Sequence, residues 1–238
     1  MIEKIKTLPE FLDVSGVSVR IESLFNTYGQ TILDLYVQKK DGVVTALMAV
    51  LGSGCTLVAH DDADFDELRS FLRCLGVEAF CDFDTAERLG HYSRQTAELL
   101  LWQGDMPQSA DERSVKIAKV YDLLKNGEDG DIVLPCFDEW YADFCVRVNH
   151  KGAEYFALDN AVAVAGFTTD REALITGVAV EKSQRKKGLG ATAVKGLIGK
   201  LKVKNPDIKV FVCAVEDRVK FYEKIGFEVL GQVAVLEF

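Results

Sequence analysis

The sequence predicts an α/β (α+β) fold: a mixed, mostly antiparallel sheet flanked by helices, preceded by a smaller α/β N-terminal domain. Three observations carry this prediction. Apolar runs of strand length flank hairpin signals at Asp41-Gly42 and Asp159-Asn160. Two stretches with helical spacing, Phe65, Leu68, Phe71, Leu72, Leu75 and Leu189, Ala193, Val194, Leu197, Ile198, Leu201, each stand between strands. A polar segment at 106–111 divides the chain, so residues 1–108 and 115–238 are expected as separate domains.

In chain order, residues 31–37 and 43–51 read as strands across the Asp-Gly turn, followed by a strand at 55–59. The helix at 65–75 closes on Gly76 as its C-cap, and 77–81 is another strand. From 88 to 113 the pattern weakens except at 99–102. The second half opens with the apolar run 115–124 and a helix over about 138–148. A hairpin of 155–158 and 161–167 precedes a strand at 174–180. The helix at 189–201 keeps Lys195, Lys200 and Lys202 on its other faces and ends before Pro206. A strand at 210–215, a short helix at 217–225 and a strand pair at 227–238, broken near Gly231, complete the chain. Both halves share the coarse order of antiparallel strands, helix and strand, without a residue-level repeat.

Composition excludes several classes. A formal net charge of -9 argues against nucleic-acid binding, which needs a basic surface. The six cysteines show no C-x-x-C spacing and the histidines number three, so no metal is expected. Most of the cysteines lie in apolar runs, as thiols of a reducing cytosol do. Residues 1–9 do not resemble a signal peptide, and no stretch nears the roughly 20 apolar residues of a membrane span. A cytoplasmic protein without membrane partners is expected.

The segment that carries chemistry is 174–193, LITGVAVEKSQRKKGLGATA. An apolar strand ends near Glu181, a basic turn follows, and Gly188 and Gly190 open a helix. Helix N-termini present unpaired N–H groups and partial positive charge, and so attract phosphate. Glycines there let backbone approach an anion, while Arg185, Lys186 and Lys187 add formal charge. A lone R-x-x-G-x-G also arises by chance, and a basic run can be only a solvated loop. The position between strand and amphipathic helix favours an anion site, most plainly for a diphosphate, without naming the ligand.

The next strand is followed by EDRVKFYEKIGFEVLG, residues 216–231. The order strand, R-x-x-G-x-G, helix, strand and helix with F-Y-E-K-x-G-F resembles the GNAT superfamily of acetyl-CoA-dependent N-acetyltransferases, over about residues 115–238. That resemblance implies a GNAT-like sheet in which the 174–180 strand splays from its neighbour to admit the pantetheine arm of acetyl-CoA. It implies cofactor contacts from the backbone of Val178 and Val180 and from Arg185, Lys186, Lys187, Gly188, Leu189, Gly190 and Ala191. The Val178 N–H would polarise the thioester carbonyl. Tyr222 matches the tyrosine that protonates the departing thiolate, although a core aromatic is the plainer alternative.

The sequence departs from the family pattern in two places. Val215, Glu216 and Asp217 stand where many members carry an asparagine, and Leu174 stands where some carry a glutamate base. Glu172 is the nearest carboxylate; a solvated turn residue is the preferred reading of it. Asp138, Glu139, Trp140 and Tyr141 fall where members build the acceptor pocket, and Cys213 and His150 read as packing and surface residues. The expected activity is acyl transfer from acetyl-CoA to a primary amine on a small molecule or peptide, within a ternary complex. The rival reading is a catalytically inactive CoA-binding sensor or interaction module. The N-terminal half reads as a degenerate GNAT-like domain, a lid or a homodimerisation unit. Its HDDADF junction at 60–65 is expected to repel pyrophosphate.

Overall fold

A computed structural model describes residues 1–10, 13, 15–90, 93–107, 115–127 and 134–238. Most of the expected 106–111 linker lies outside the described residues. The elements are β1 Ile2–Ile5, α1 Ser18–Ile32, β2 Asp34–Lys40, β3 Val43–Leu51, β4 Gly54–Ala59, α2 Phe65–Leu75, β5 Glu78–Asp82, α3 Phe83–Leu89 and β6 Ser93–Trp102. They continue with α4 Ile117–Gly127, α5 Phe137–Asn149, β7 Glu154–Leu158, β8 Ala161–Thr168, β9 Glu172–Val180 and a 3-10 turn at Lys182–Gln184. The last are α6 Leu189–Lys204, β10 Lys209–Ala214, α7 Glu216–Ile225 and β11 Phe227–Glu237. Two compact units result: residues 1–100, 213–220 and 229–238, and residues 101–212 and 221–228.

In the first unit β1 to β4 form successive antiparallel pairs, β4 pairs β5 in parallel, and β11 pairs β5 antiparallel. Asp41 (φ 53°) and Gly42 (φ 83°) are both left-handed, as a two-residue hairpin turn matching strand twist requires. The Asp64 carboxylate caps α2 by accepting from the Glu67 N–H at 3.0 Å, and Gly76 ends the helix in left-handed conformation. Leu57, Leu68, Leu72, Ala79, Leu89, Ala234 and Leu236 fill the core of this unit.

In the second unit the strands run in the order β10-β9-β8-β7. The β7/β8 and β8/β9 pairs are antiparallel and β9/β10 is parallel. One sheet face packs Val162, Val164 and Ala179 against Val120, Leu123 and Leu124 of α4 and Phe144 of α5. Helix α6 buries Ala193, Val194, Leu197, Ile198 and Leu201. It approaches β7 so closely that a Cβ on Gly196 would lie 2.5 Å from the Phe156 ring. Glu154 ties the same two elements together: its buried carboxylate pairs with Lys200 at 3.1 Å and with Lys204. Burial alone would raise the Glu154 pKa, but the two lysines and the Tyr155 amide outweigh it and hold it below the usual carboxylate value.

The structure extends the sequence reading in several places. Helix α1, bent where Gly29 is non-helical, takes Thr31 and Ile32, which the apolar run had assigned to a strand. Helix α3 follows β5 directly because Asp82 caps it through the Thr85 N–H and hydroxyl, each at 2.8 Å. The run 115–124 belongs largely to α4. Residues 227–237 form one strand rather than a broken pair: Gly231 is absent from the positive-φ glycines, so the chain passes straight through it. Among the described residues no helix is long and apolar enough to cross a membrane.

Two outcomes test this packing. Alanine gains about 1 kcal/mol over glycine in a helix, but overpacking costs about 1–3 kcal/mol. Gly196→Ala should therefore lower the melting temperature, and should raise it in a Phe156→Leu background. Glu154, with its pKa depressed in the fold, stabilises the protein above the unfolded carboxylate pKa, and this contribution disappears as pH falls through the folded value. The melting-temperature gap between wild type and Glu154→Gln at neutral pH should accordingly close below about pH 4.

Candidate functional site

The site starts where the pairing of β9 with β10 ends. Its parallel register with β10 runs from Glu172↔Lys209 to Ile175↔Val212, while β9 itself continues to Val180. At that point the β8/β9 pairing is also irregular, with Val164 opposite Gly177 and Ala165 opposite Ile175, so that Thr176 is bulged. A bulge bends and twists its strand, and here it coincides with the end of the β9/β10 register. Thr176 lies over Gly166 of β8, where any Cβ would collide with its Oγ1. Glycines within strands at 166 and 177 are the signal from which this bulge was legible.

Beyond that end, Val178 and Val180 are half-buried and pair with Ala163 and Ala161. The chain then turns through the 3-10 segment into α6. Lys186 is left-handed at φ 62°, and so is Gly188, the N-cap, at φ 80°. No side chain caps α6. Thr192 donates its N–H to the Gly188 carbonyl at 3.0 Å, closing the first helical bond and leaving the Leu189, Gly190 and Ala191 amides in the uncapped first turn. Arg185 Nε donates to the Val180 carbonyl at 3.4 Å, and Lys187 Nζ to Gln184 at 2.8 Å. Three cations thus directly precede a helix start that carries no side-chain cap.

The two glycines serve different ends. A Cβ on Gly188 would meet nothing within 4 Å, so its positive φ is what requires glycine there. A Cβ on Gly190 would point at Val180 (3.4 Å) and Phe221 (3.5 Å), toward the interior rather than toward an incoming anion. Phe221 of α7 thereby rests on the start of α6. Tyr222, only 8% exposed, meets Phe221 edge-on at 5.0 Å and Phe227 at 5.5 Å. Phe227 in turn meets Trp102 at 5.3 Å. The ring of Tyr222 is therefore fixed by packing on both sides, and the Phe221 contact was not evident in sequence.

Other candidates separate clearly. Glu172 is fully buried at the start of β9, its N–H bonded to Thr169 Oγ1, which corrects the reading of a solvated turn residue. Trp140 stacks on Phe144 at 4.6 Å and leans on Tyr121, so it packs α5 onto α4. Asp138, Glu139, Tyr141 and His150 are exposed. The Tyr141 hydroxyl pKa is raised by its hydrogen bond to Cys145. Burial pushes the Cys213 thiol up to about 11, against the pull of Arg20, and a thiol held protonated is a poor nucleophile. Among the described residues no group of side chains could hold a metal ion.

The first unit offers an instructive parallel. Strand β4 pairs β5 only as far as Thr56↔Phe80 and runs on to Ala59. A cavity of about 560 Å³ at that end is lined by Asp61, Asp62, Asp82 and Asp84, with Arg88 its one lining lysine or arginine. Arg88 is held at 2.9 Å by Asp61 and lies 4.1 Å over the Phe65 ring.

Comparison with known proteins agrees with this architecture. Residues 136–236 match the family model of the acetyltransferase (GNAT) domain. The fold is similar to a GCN5-related N-acetyltransferase from Kribbella flavida, 12% identical, with a TM-score of 0.58 over 93% of each chain. Another from Sphaerobacter thermophilus is 14% identical, with a TM-score of 0.58 over 95% of this chain and 81% of that one. A tandem GNAT protein from the clavulanic acid biosynthesis pathway is 14% identical, with a TM-score of 0.53 over 92% of this chain and 86% of its own. No curated protein sequence matches the chain.

The left-handed lysine yields a test. A non-glycine residue there costs about 1–2 kcal/mol, more than the 0.5–1 kcal/mol entropy penalty of glycine. Lys186→Gly should raise the melting temperature while weakening the binding of inorganic pyrophosphate, read by calorimetry. A strain-bearing lysine retained for its charge predicts these opposite signs.

Proposed function

We propose that the chain is an acetyl-CoA-dependent N-acetyltransferase that acetylates a primary amine on a small molecule or peptide. The observation that carries this reading is the end of the β9/β10 register at Ile175↔Val212, on a strand leading straight into an uncapped, cation-flanked helix. The diphosphate of the donor would take the amides of Gly188, Leu189, Gly190 and Ala191 with the charges of Arg185, Lys186 and Lys187. Its pantetheine arm would lie along the backbone of Val178 and Val180. The chemistry is assigned to residues 115–238, and none to residues 1–108.

In this reading the neutral amine attacks the acetyl carbonyl directly, forming the C–N bond. The Val178 N–H stabilises the oxyanion as it develops. Collapse breaks the C–S bond, and the Tyr222 hydroxyl gives its proton to the departing thiolate; the proton released from nitrogen restores the phenol through solvent. Holding both reactants together supplies much of the rate, and no covalent enzyme intermediate is needed. The rings of Phe221 and Phe227 against Tyr222 support this role, since they fix the phenol in one orientation.

Thiol release from acetyl-CoA across a panel of amines tests the proposal. A thiolate with pKa near 8.5 leaves with modest help, so Tyr222→Phe should lower kcat by about 100-fold, the low end of general acid effects. The CoA affinity should be unchanged. Wild-type turnover in Tyr222→Phe would remove the acid role. CoA binding without thiol release from any amine would instead make the domain a sensor.

A further inference from the structure

We propose that Thr176 orients the acceptor amine, its hydroxyl oxygen accepting a hydrogen bond from the attacking nitrogen. This inference rests on the acetyltransferase reading and adds to it a residue that positions the second substrate. Strand β9 is interior to its sheet, with β8 on one edge and β10 on the other. A residue midway along such a strand reaches solvent only where nothing covers its face of the sheet. Thr176 is exposed, although Ile175 before it and Gly177 after it are buried. It is also the residue skipped by the β8 pairing and the first one past the last β10 partner. Thr176 therefore marks an apex in the pairing, the point where β9 loses its β10 partners.

Its chemistry is equally distinctive. From 173 to 180 the strand reads Ala, Leu, Ile, Thr, Gly, Val, Ala, Val, so Thr176 is the one polar side chain in the run. Its hydroxyl makes no hydrogen bond among the described residues. The β-branched side chain has few rotamers, and its seat over Gly166 restricts it further. Four residues separate it from Val180, about 13 Å along an extended strand. A donor anchored by its phosphates at Gly188 and lying along β9 passes Val180 and Val178 before its thioester approaches this apex. A hydroxyl oxygen there can accept an N–H from a neutral amine, directing the nitrogen lone pair at the carbonyl. Thr176 is neither base nor nucleophile in this arrangement; it fixes an approach angle.

The test compares Thr176→Val, which keeps the shape and removes the hydroxyl, with Thr176→Ser, which keeps the hydroxyl. Thr176→Val should lower kcat/KM for the amine by about five- to tenfold, the size of one neutral hydrogen bond. The KM for acetyl-CoA and the slow hydrolysis of acetyl-CoA without amine should stay at wild-type values. Thr176→Ser should restore most of the amine kcat/KM. Unchanged amine kinetics in Thr176→Val, or an equal fall in amine-free hydrolysis, overturns the inference while leaving the acetyltransferase reading intact. A wild-type protein that acetylates no amine overturns both.

Discussion

Buried peptide groups must find partners, and β9 loses one set of them halfway along its length. More than nine in ten buried backbone N–H and C=O groups in folded proteins are paired. Up to Ile175 the β10 strand supplies partners to one edge of β9; from Thr176 to Val180 the β10 register no longer does. A protein that opens a seam in its own sheet exchanges strong, pre-paired hydrogen bonds for water or for a ligand able to mimic a strand. An amide-bearing arm is such a ligand, since its N–H and C=O groups alternate as a peptide's do. The Thr176 bulge lies where that pairing ends, and Val178 and Val180 beyond it are half-buried. The Val180 carbonyl is met by Arg185 from the turn that follows.

Charge acts at the mouth of the same seam. The chain carries a net charge of -9, yet Arg185, Lys186 and Lys187 are consecutive and adjoin the positive end of α6. Fields fall off within about 8–10 Å at ordinary ionic strength, so this local cluster governs what a ligand meets there, whatever the distant carboxylates do. The backbone accepts cost to hold it: Lys186 is left-handed although it has a Cβ.

Much of this was legible in residue order. Glycine spacing and the three cations marked the helix start, and the apolar run 174–180 marked the strand before it. The helix α2, with its Asp64 cap and Gly76 stop, follows from local rules that act within a few residues. Long-range pairing was less visible. No local pattern tells β11 to run unbroken past Gly231 and pair with β5, or tells β9 where to abandon β10. Phe221 illustrates the same limit: its ring meets Gly190, thirty-one positions earlier, through a contact made only by folding. Glu172 was misread because an acidic residue after Asp170 and Arg171 reads as solvated, whereas the strand that begins there buries it.

The two units show how little of a binding site resides in topology. In each, two antiparallel strand pairings (β2/β3/β4 and β7/β8/β9) lead to a helix and a parallel strand, and the parallel register stops before the strand does, at Thr56↔Phe80 and at Ile175↔Val212. What differs is the residue at the helix start. In α2 the Asp64 carboxylate takes the first-turn amide for itself, and Asp61, Asp62, Asp82 and Asp84 line the adjoining cavity. An anion arriving there would displace an internal cap and face four negative charges against Arg88, already engaged by Asp61. In α6 the corresponding position is Gly188, which has no side chain to offer the first-turn amides. With the β4/β5 and β9/β10 registers both ending early, the exchange of one carboxylate for a hydrogen, with the cations that follow Val180, separates a helix end capped by a side chain from one without such a cap.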